Sequence, residues 1–184
     1  VGVVLYGGAF DPPHLGHVAV VDAARKHFGV ERLVVLVSEC PAHRAVHASA
    51  EDRLALARAA FPGDDVRLDP YARTIELLRA EPFDDTVFVV GADQFRGFLR
   101  WSEPAEVLER TRLAVATRPG FPQRELDRVL EQLDRPERVL FFELEPNPAA
   151  STDVRARAAR GAPLDGLVPA AVARLIEERG FYRA

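Results

Sequence analysis

A doubly wound parallel α/β sheet is the fold this sequence predicts, and three observations carry that reading. Short, charge-free, β-branched runs recur along the chain, beginning with Val3–Tyr6 and Leu33–Val37. Between them lie stretches whose apolar residues fall three and four apart, the helical spacing. The alternation runs from end to end without internal repeat, low-complexity tract or linker, as strands and crossover helices require. A chain of 184 residues also suits one domain with a proper core.

Taken in order, Val3–Tyr6 is a buried strand. From about His17 to Phe28, Val18, Val21, Ala24 and Phe28 share one helical face, and Gly29 supplies the stop. Leu33–Val37 completes a βαβ unit, whose strands are parallel with a right-handed crossover. Ser49-Ala50-Glu51-Asp52 opens a helix in the manner of a capping box; it runs to about Ala60, and Pro62-Gly63 ends it. Val66–Leu68 is a short strand, Ala72–Glu81 a helix, Thr86–Val90 a strand closed by Gly91, and Phe95–Leu99 a short helix. Glu103–Arg110 is a helix capped by Ser102, followed by strand Leu113–Ala116, helix Arg124–Leu133 and strand Val139–Leu144. Helices near 152–160 and 169–179 close the chain, with Gly180 as C-cap. This C-terminal segment, about 151–184, is expected to pack on the sheet within one domain spanning 1–184. The architecture is Rossmann-like.

Composition excludes several classes. The net charge of −4 disfavours nucleic acid as a partner, since that class shows a basic excess. One cysteine, Cys40, excludes an internal disulfide and suits a reducing cytoplasm. No basic segment followed by an apolar core opens the sequence, and no apolar run approaches the ~20 residues of a membrane span. A cytoplasmic protein without membrane association is expected.

The chemistry concentrates in Gly7-Gly8-Ala9-Phe10-Asp11-Pro12-Pro13-His14-Leu15-Gly16-His17, between the first strand and the first helix. A turn that only reverses the chain does not need three glycines, two prolines and two histidines. Ligands of open α/β sheets bind beyond the carboxyl ends of the strands, where this segment lies. Gly7 and Gly8 let backbone approach a ligand, and Gly16 removes bulk where the ligand would pass. The helix that follows presents unpaired N–H groups to a phosphate. His14 and His17, three apart at its start, can both face that phosphate as donors. The segment reads as a phosphate cradle.

That string resembles the nucleotide-binding signature of the nucleotidyltransferase superfamily, and its Asp-Pro-Pro-His version resembles bacterial nicotinate (or nicotinamide) mononucleotide adenylyltransferases. Further matches span nearly the whole chain. Gly91-Ala92-Asp93, with Trp101 eight residues on, is similar to the family's Gly-x-Asp…Trp segment, and Thr117-Arg118-Pro119-Gly120 to the end of its next strand. Ala150-Ser151-Thr152-Asp153-Val154-Arg155 resembles the second signature, usually Ser-Ser-Thr-x-Ile-Arg; Val168-Pro169 and Gly180-Phe181-Tyr182-Arg183 resemble its last helix. Ala9 and Ala150 stand where hydroxyl residues are usual, Arg44 where Lys is, and Arg73-Thr74-Ile75-Glu76 where Tyr-Thr-Ile-Asp is common.

The resemblance implies transfer of AMP from ATP to nicotinate mononucleotide, with nicotinamide mononucleotide as the alternative acceptor, and release of pyrophosphate, as a step of NAD biosynthesis. His14, His17 and Arg155 would be the catalytic groups. Gly7, Gly8, Ala9, Phe10, Gly16, Gly91, Asp93, Ser151 and Thr152 would bind ATP, Asp93 through a ribose hydroxyl. His43 and Arg44 would meet the mononucleotide phosphate, Thr74 the pyridine substituent and Trp101 the ring face, with Arg118 nearby. Mg²⁺ would bridge the ATP phosphates with no ligand from the protein. The partners are then two small molecules, with a homo-oligomer compatible.

Rival readings are weaker. Cys40, His43 and His47 have tolerable zinc spacing but no second cysteine joins them. His14-Leu15-Gly16-His17 also resembles the class I aminoacyl-tRNA synthetase signature, yet the single Lys, Lys26, lies in the first helix and the charge is negative. Pantetheine-phosphate adenylyltransferases share the cradle but lack the double proline and the Gly-x-Asp…Trp segment. A non-catalytic ATP sensor would not need His14, His17 and Arg155 together.

Overall fold

The computed structural model describes residues 2–41 and 45–183. Its strands are β1 (Val3–Gly8), β2 (Arg32–Ser38), β3 (Asp65–Asp69), β4 (Thr86–Gly91), β5 (Arg112–Thr117) and β6 (Val139–Glu143). All neighbours are parallel, and the order is β3-β2-β1-β4-β5-β6. The helices are α1 (Leu15–Phe28), α2 (Ala50–Ala60), α3 (Thr74–Ala80), α4 (Ala92–Phe95), α5 (Pro104–Arg110), α6 (Gln123–Leu130), α7 (Ser151–Ala159) and α8 (Ala170–Arg179). The predicted doubly wound, Rossmann-like sheet is present, and no helix among the described residues is long and apolar enough to cross a membrane.

Alternation along the strands sends side chains to two cores. Val4 and Tyr6 of β1 join Val35 and Val37 beneath α1, α2, α7 and α8, while Leu5 joins Val34, Leu36 and Val90 beneath α3, α4, α5 and α6. Burial on both faces explains why these strands read as continuous apolar runs rather than alternating ones.

The sheet reverses its winding between β1 and β4, the place where open α/β sheets take ligands. Here the ladder runs from Val3 opposite Thr86 only to Tyr6 opposite Val89. Meanwhile β1 stays paired with β2 as far as Gly8, and β4 with β5 as far as Gly91. The two strands therefore part at their carboxyl ends, opening a crevice between Gly7-Gly8 and Val90-Gly91.

Three local expectations need correction. The helix expected at Phe95–Leu99 is two pieces: one turn of α4 directly at the end of β4, then a 3-10 turn at Phe98–Arg100. Gln94 Oε1 accepts the Gly91 N–H at 3.1 Å and so starts the helix at once. Helix α5 is preceded by Glu103 at φ 50 rather than capped by Ser102, because Pro104 opens the helix with no N–H to cap. Ser49 does cap α2, accepting the Asp52 N–H at 3.1 Å, but its hydroxyl turns back to Asp52 Oδ2 at 2.8 Å instead of completing a capping box.

The largest fully buried side chain is Arg53 of α2, only 1% exposed. Its guanidinium donates to the carbonyls of Ala9 (2.8 Å), Ser38 (2.7 Å), Glu39 (3.1 Å) and Ala48 (3.2 Å). One side chain thus ties the segment after β1 to both ends of the segment joining β2 to α2. Arg53→Met fills the volume but strips those carbonyls of their donor. Unfolding in urea should show a loss of about 3 kcal/mol, at the usual 1–3 kcal/mol for a buried group left without its partner.

Candidate active site

His14 is the N-cap of α1, in extended backbone. Its Nδ1 accepts the Gly16 N–H at 3.1 Å, and Nδ1 of His17 accepts the His14 N–H at 3.2 Å. The two rings thus form a reciprocal capping box, with centroids 3.8 Å apart. A ring nitrogen that accepts an N–H carries no proton, so both rings are neutral with the proton on Nε2. Each imidazole is then a fixed donor at its far end.

The same geometry corrects the expected role of the helix start. The Leu15 N–H donates to the Leu167 carbonyl at 2.8 Å and the Gly16 N–H to His14, so these groups do not await a phosphate. Gly16 is small for an internal reason too: a Cβ there would lie 2.8 Å from the His14 ring. Gly8 likewise accommodates Phe10, whose ring would sit 3.0 Å from a Cβ. Phe10 itself is only 1% exposed, in left-handed backbone at φ 50, with its ring against Tyr6, His17 and Phe61. Its side chain is core that backs His17, leaving main chain as what it can show a ligand. Ala9 turns its carbonyl inward to Arg53. Gly91 differs, for its Cβ would meet only Gln94 Oε1, at 4.0 Å. Asp93 is exposed at the start of α4, across the crevice from β1.

The C-terminal segment fastens onto the first turn. The Ser151 hydroxyl donates to the Pro12 carbonyl at 2.8 Å, and Arg155 Nη1 to the Asp11 carbonyl at 2.6 Å. Ser151 Oγ is therefore engaged as a fastening rather than offered to a phosphate. Thr152 is exposed, its Oγ1 3.4 Å from Arg155 Nη2. The N-cap of α7 is Ala150, which has no side chain to cap the helix. The first N–H groups of α7 consequently have no intrahelical acceptor and no side-chain cap. Of the two helix starts, that of α7 is the one without a side-chain cap, whereas that of α1 is capped.

Other predicted residues lie on the segments that follow β3, β4 and β5. Arg118 follows β5, exposed, and its charge acts on His14. Trp101 is half-buried and sits edge-to-face on Phe98, ring centroids 5.3 Å apart, on the α3–α6 face of the sheet. Thr74 opens α3 on that same face. His43 and Arg44 lie outside the described residues.

Residues that the motif reading passed over hold the turn in place. Asp11, 5% exposed, accepts the His47 N–H (2.7 Å) and Ala48 N–H (3.2 Å), contacts His47 Nδ1 (3.2 Å) and accepts the Tyr182 hydroxyl (2.9 Å). Asp11 stood inside the quoted motif, and an acid between a buried strand and a proline pair was the available signal. Arg53 offered none beyond an arginine on an apolar helix face. Among the described residues, no group of three or more His, Cys, Asp or Glu could hold a metal ion.

Burial, with the Arg118 charge added, pulls the His14 pKa down from 6.5 to about 4. Protonation would also break the cap. Between these values the unfolded chain binds a proton that the folded chain refuses, so stability falls as pH drops from about 6.5 toward 4. Urea unfolding across that window should show the slope in the wild type and a shallower one in His14→Asn, whose amide oxygen can replace the cap acceptor.

The comparisons with known proteins agree with this geometry. Residues 5–157 match the cytidylyltransferase-like family model. A probable nicotinate-nucleotide adenylyltransferase of Rubrobacter xylanophilus is 32% identical, covering 99% of this chain and 92% of its own. One from Bordetella petrii is 35% identical, covering 97% of each. Among solved structures, the Plasmodium falciparum nicotinic acid mononucleotide adenylyltransferase complexed with NaAD superposes with a TM-score of 0.78 over 98% of this chain and 97% of that one, at 14% identity. The sheet order, the paired imidazoles and these full-length relatives together place the chain in the cytidylyltransferase-like family, among the nicotinate-nucleotide adenylyltransferases.

Proposed function

We propose that this chain joins nicotinate mononucleotide to the α-phosphorus of ATP, forming nicotinate adenine dinucleotide and pyrophosphate. The observation that carries the reading is the convergence, at the β1–β4 parting, of two neutral imidazole donors with the uncapped start of α7 and Arg155. We read residues 1–184 as one domain for this reaction.

The attacking mononucleotide phosphate is already an anion at neutral pH, so the chain need supply no general base. Two anions must instead be held in line against their repulsion while charge moves onto the departing pyrophosphate. His14 and His17, with Nδ1 engaged, would aim Nε2–H at the α-phosphate oxygens. Burial holds the His14 pKa down to about 4, so that ring stays neutral in the working range. The Ser151, Thr152 and Asp153 N–H groups and the remaining Arg155 donors would take the β- and γ-phosphates. Gly7, Gly8 and Gly91 would admit the adenosine, with Asp93 at its ribose. Trp101 would cover the pyridine, Thr74 its substituent, and His43, Arg44 and Arg118 the mononucleotide phosphate.

A divalent cation, Mg²⁺ in this reading, would supply charge neutralisation between the phosphates. The described residues fit a cation carried in by the triphosphate, because the nearest buried carboxylate, Asp11, already accepts protein donors at both oxygens.

Incubation with ATP, Mg²⁺ and nicotinate mononucleotide should release pyrophosphate; ATP binding without release would support a sensor instead. His17→Asn keeps an acceptor for the His14 N–H but removes the far donor. Its kcat should fall about 100-fold, as for other lost transition-state donors, with KM for the mononucleotide little changed. Equal losses in both would contradict the assigned role. Trp101→Ala should raise KM for the mononucleotide roughly tenfold and spare that for ATP, in line with one lost aromatic stack. A protein that unfolds instead would mark Trp101 as core.

A further inference from the structure

The tail beyond α8 has no part in the reaction just described, yet it reaches the turn that carries both imidazoles. Gly180 ends α8 in left-handed backbone at φ 64, and Tyr182 adopts the same φ, which residues with side chains seldom do. The Phe181 N–H donates to the Ile176 carbonyl at 3.1 Å, and the Arg179 guanidinium lies over the Phe181 ring at 6.0 Å. Helix α8 is itself seated by Val172 and Ile176, both buried. This places the Tyr182 hydroxyl 2.9 Å from Asp11 Oδ1, 171 positions earlier in the chain. Burial first, then the adjacent carboxylate, hold the phenol well above its ordinary pKa, so it remains a donor.

Asp11 is where the tail's grip becomes relevant to chemistry. Its other donors come from His47 and Ala48, at the end of the segment containing the expected mononucleotide ligands His43 and Arg44. Its carbonyl holds Arg155. Only Pro12 and Pro13, each with its φ fixed by the ring, separate it from His14. A rotation of the carboxylate would therefore pass into the imidazole pair rather than be absorbed along a loose loop.

We propose that Tyr182 is a positioning residue for adenylyl transfer: its hydroxyl orients Asp11, and Asp11 fixes both the His14/His17 turn and Arg155. The inference rests on the reaction proposed above. It assigns the last turn of the chain to the site, although Tyr182 touches neither the imidazoles nor Arg155 through any hydrogen bond. Removing one hydroxyl leaves the apolar seating of α8 in place, so the effect is read in turnover rather than in folding.

Steady-state kinetics of the full chain and Tyr182→Phe test this, with ATP, Mg²⁺ and nicotinate mononucleotide as reactants. The expected result is a kcat about tenfold lower, both KM values within about twofold, and Tm within a few degrees, because small misplacements act on turnover. In an Asp11→Asn background, Tyr182→Phe should cost nothing more, since the two act as a unit. The ring resonances of His14 and His17 should also shift in Tyr182→Phe without substrate. A kcat within twofold of wild type, unmoved imidazole resonances, or equal losses in both backgrounds would overturn the inference. So would a loss erased by assaying at lower temperature, which marks a folding defect. A wild-type chain that releases no pyrophosphate overturns the adenylyl-transfer reading itself, whereas an active wild type matched by Tyr182→Phe overturns this inference alone.

Discussion

Both oxygens of Asp11 are occupied by donors that no local segment could provide. His47 and Ala48 come from the approach to α2, and Tyr182 from the last residues described. A carboxylate only 5% exposed is costly to bury unless hydrogen bonds replace its water, and here they do. The demand works in both directions. The chain must bring three distant pieces together to satisfy one charge, and once they meet, the turn between β1 and α1 has a defined position. Arg53 repeats the device with the opposite sign, using four carbonyls instead of donors. Between them a buried anion and a buried cation fix the floor of the site without pairing through a direct hydrogen bond.

This construction suits a reaction in which the protein supplies placement and field rather than a nucleophile. Anions that repel must be held within a fraction of an ångström of line, so the donors have to be rigid before substrate arrives. The imidazoles are rigid because each uses its Nδ1 to build the helix start. The reciprocal cap explains why the histidines are three apart: that is the interval from N-cap to N3. It also explains the glycine between them, which leaves room for the first ring. Helix α7 takes the complementary part, with its first N–H groups left uncapped by Ala150.

Much of this was legible in the sequence. Strands buried on both faces announce themselves as apolar runs, so the sheet and its winding could be read with boundaries off by a residue or two. The cradle was legible because its glycines, prolines and histidines are too concentrated for a simple turn. Its inner logic was not, since a motif does not say which atom of a side chain faces in. Gly16 and Phe10 looked like ligand contacts; Gly16 leaves room for the His14 ring by having no side chain, and the Phe10 ring packs against His17. The Leu15 N–H looked open and is closed by Leu167, a partner 152 positions away that no local pattern reveals. Asp11, Arg53 and Tyr182 escaped for the same reason. Their partners are backbone groups or residues from the other end of the chain, and periodicity carries no record of either.

The early end of the β1–β4 ladder has a consequence for how such a pocket can vary. Past Tyr6 and Val89, the facing edges are peptide groups released from the β1–β4 ladder, and Gly91 leaves its edge open, since a Cβ there would meet only Gln94 Oε1, at 4.0 Å. Peptide groups are the same whatever the residue, so recognition there, as proposed above, would rest on the path of the backbone and not on its decoration. Ala9 and Ala150, standing where hydroxyls are common, are tolerable on that basis. On the reading proposed above, the nucleotide would be greeted by the skeleton of the fold, and drift in side-chain chemistry would fall instead on the outer rim, where the second substrate would be told apart from its cousins.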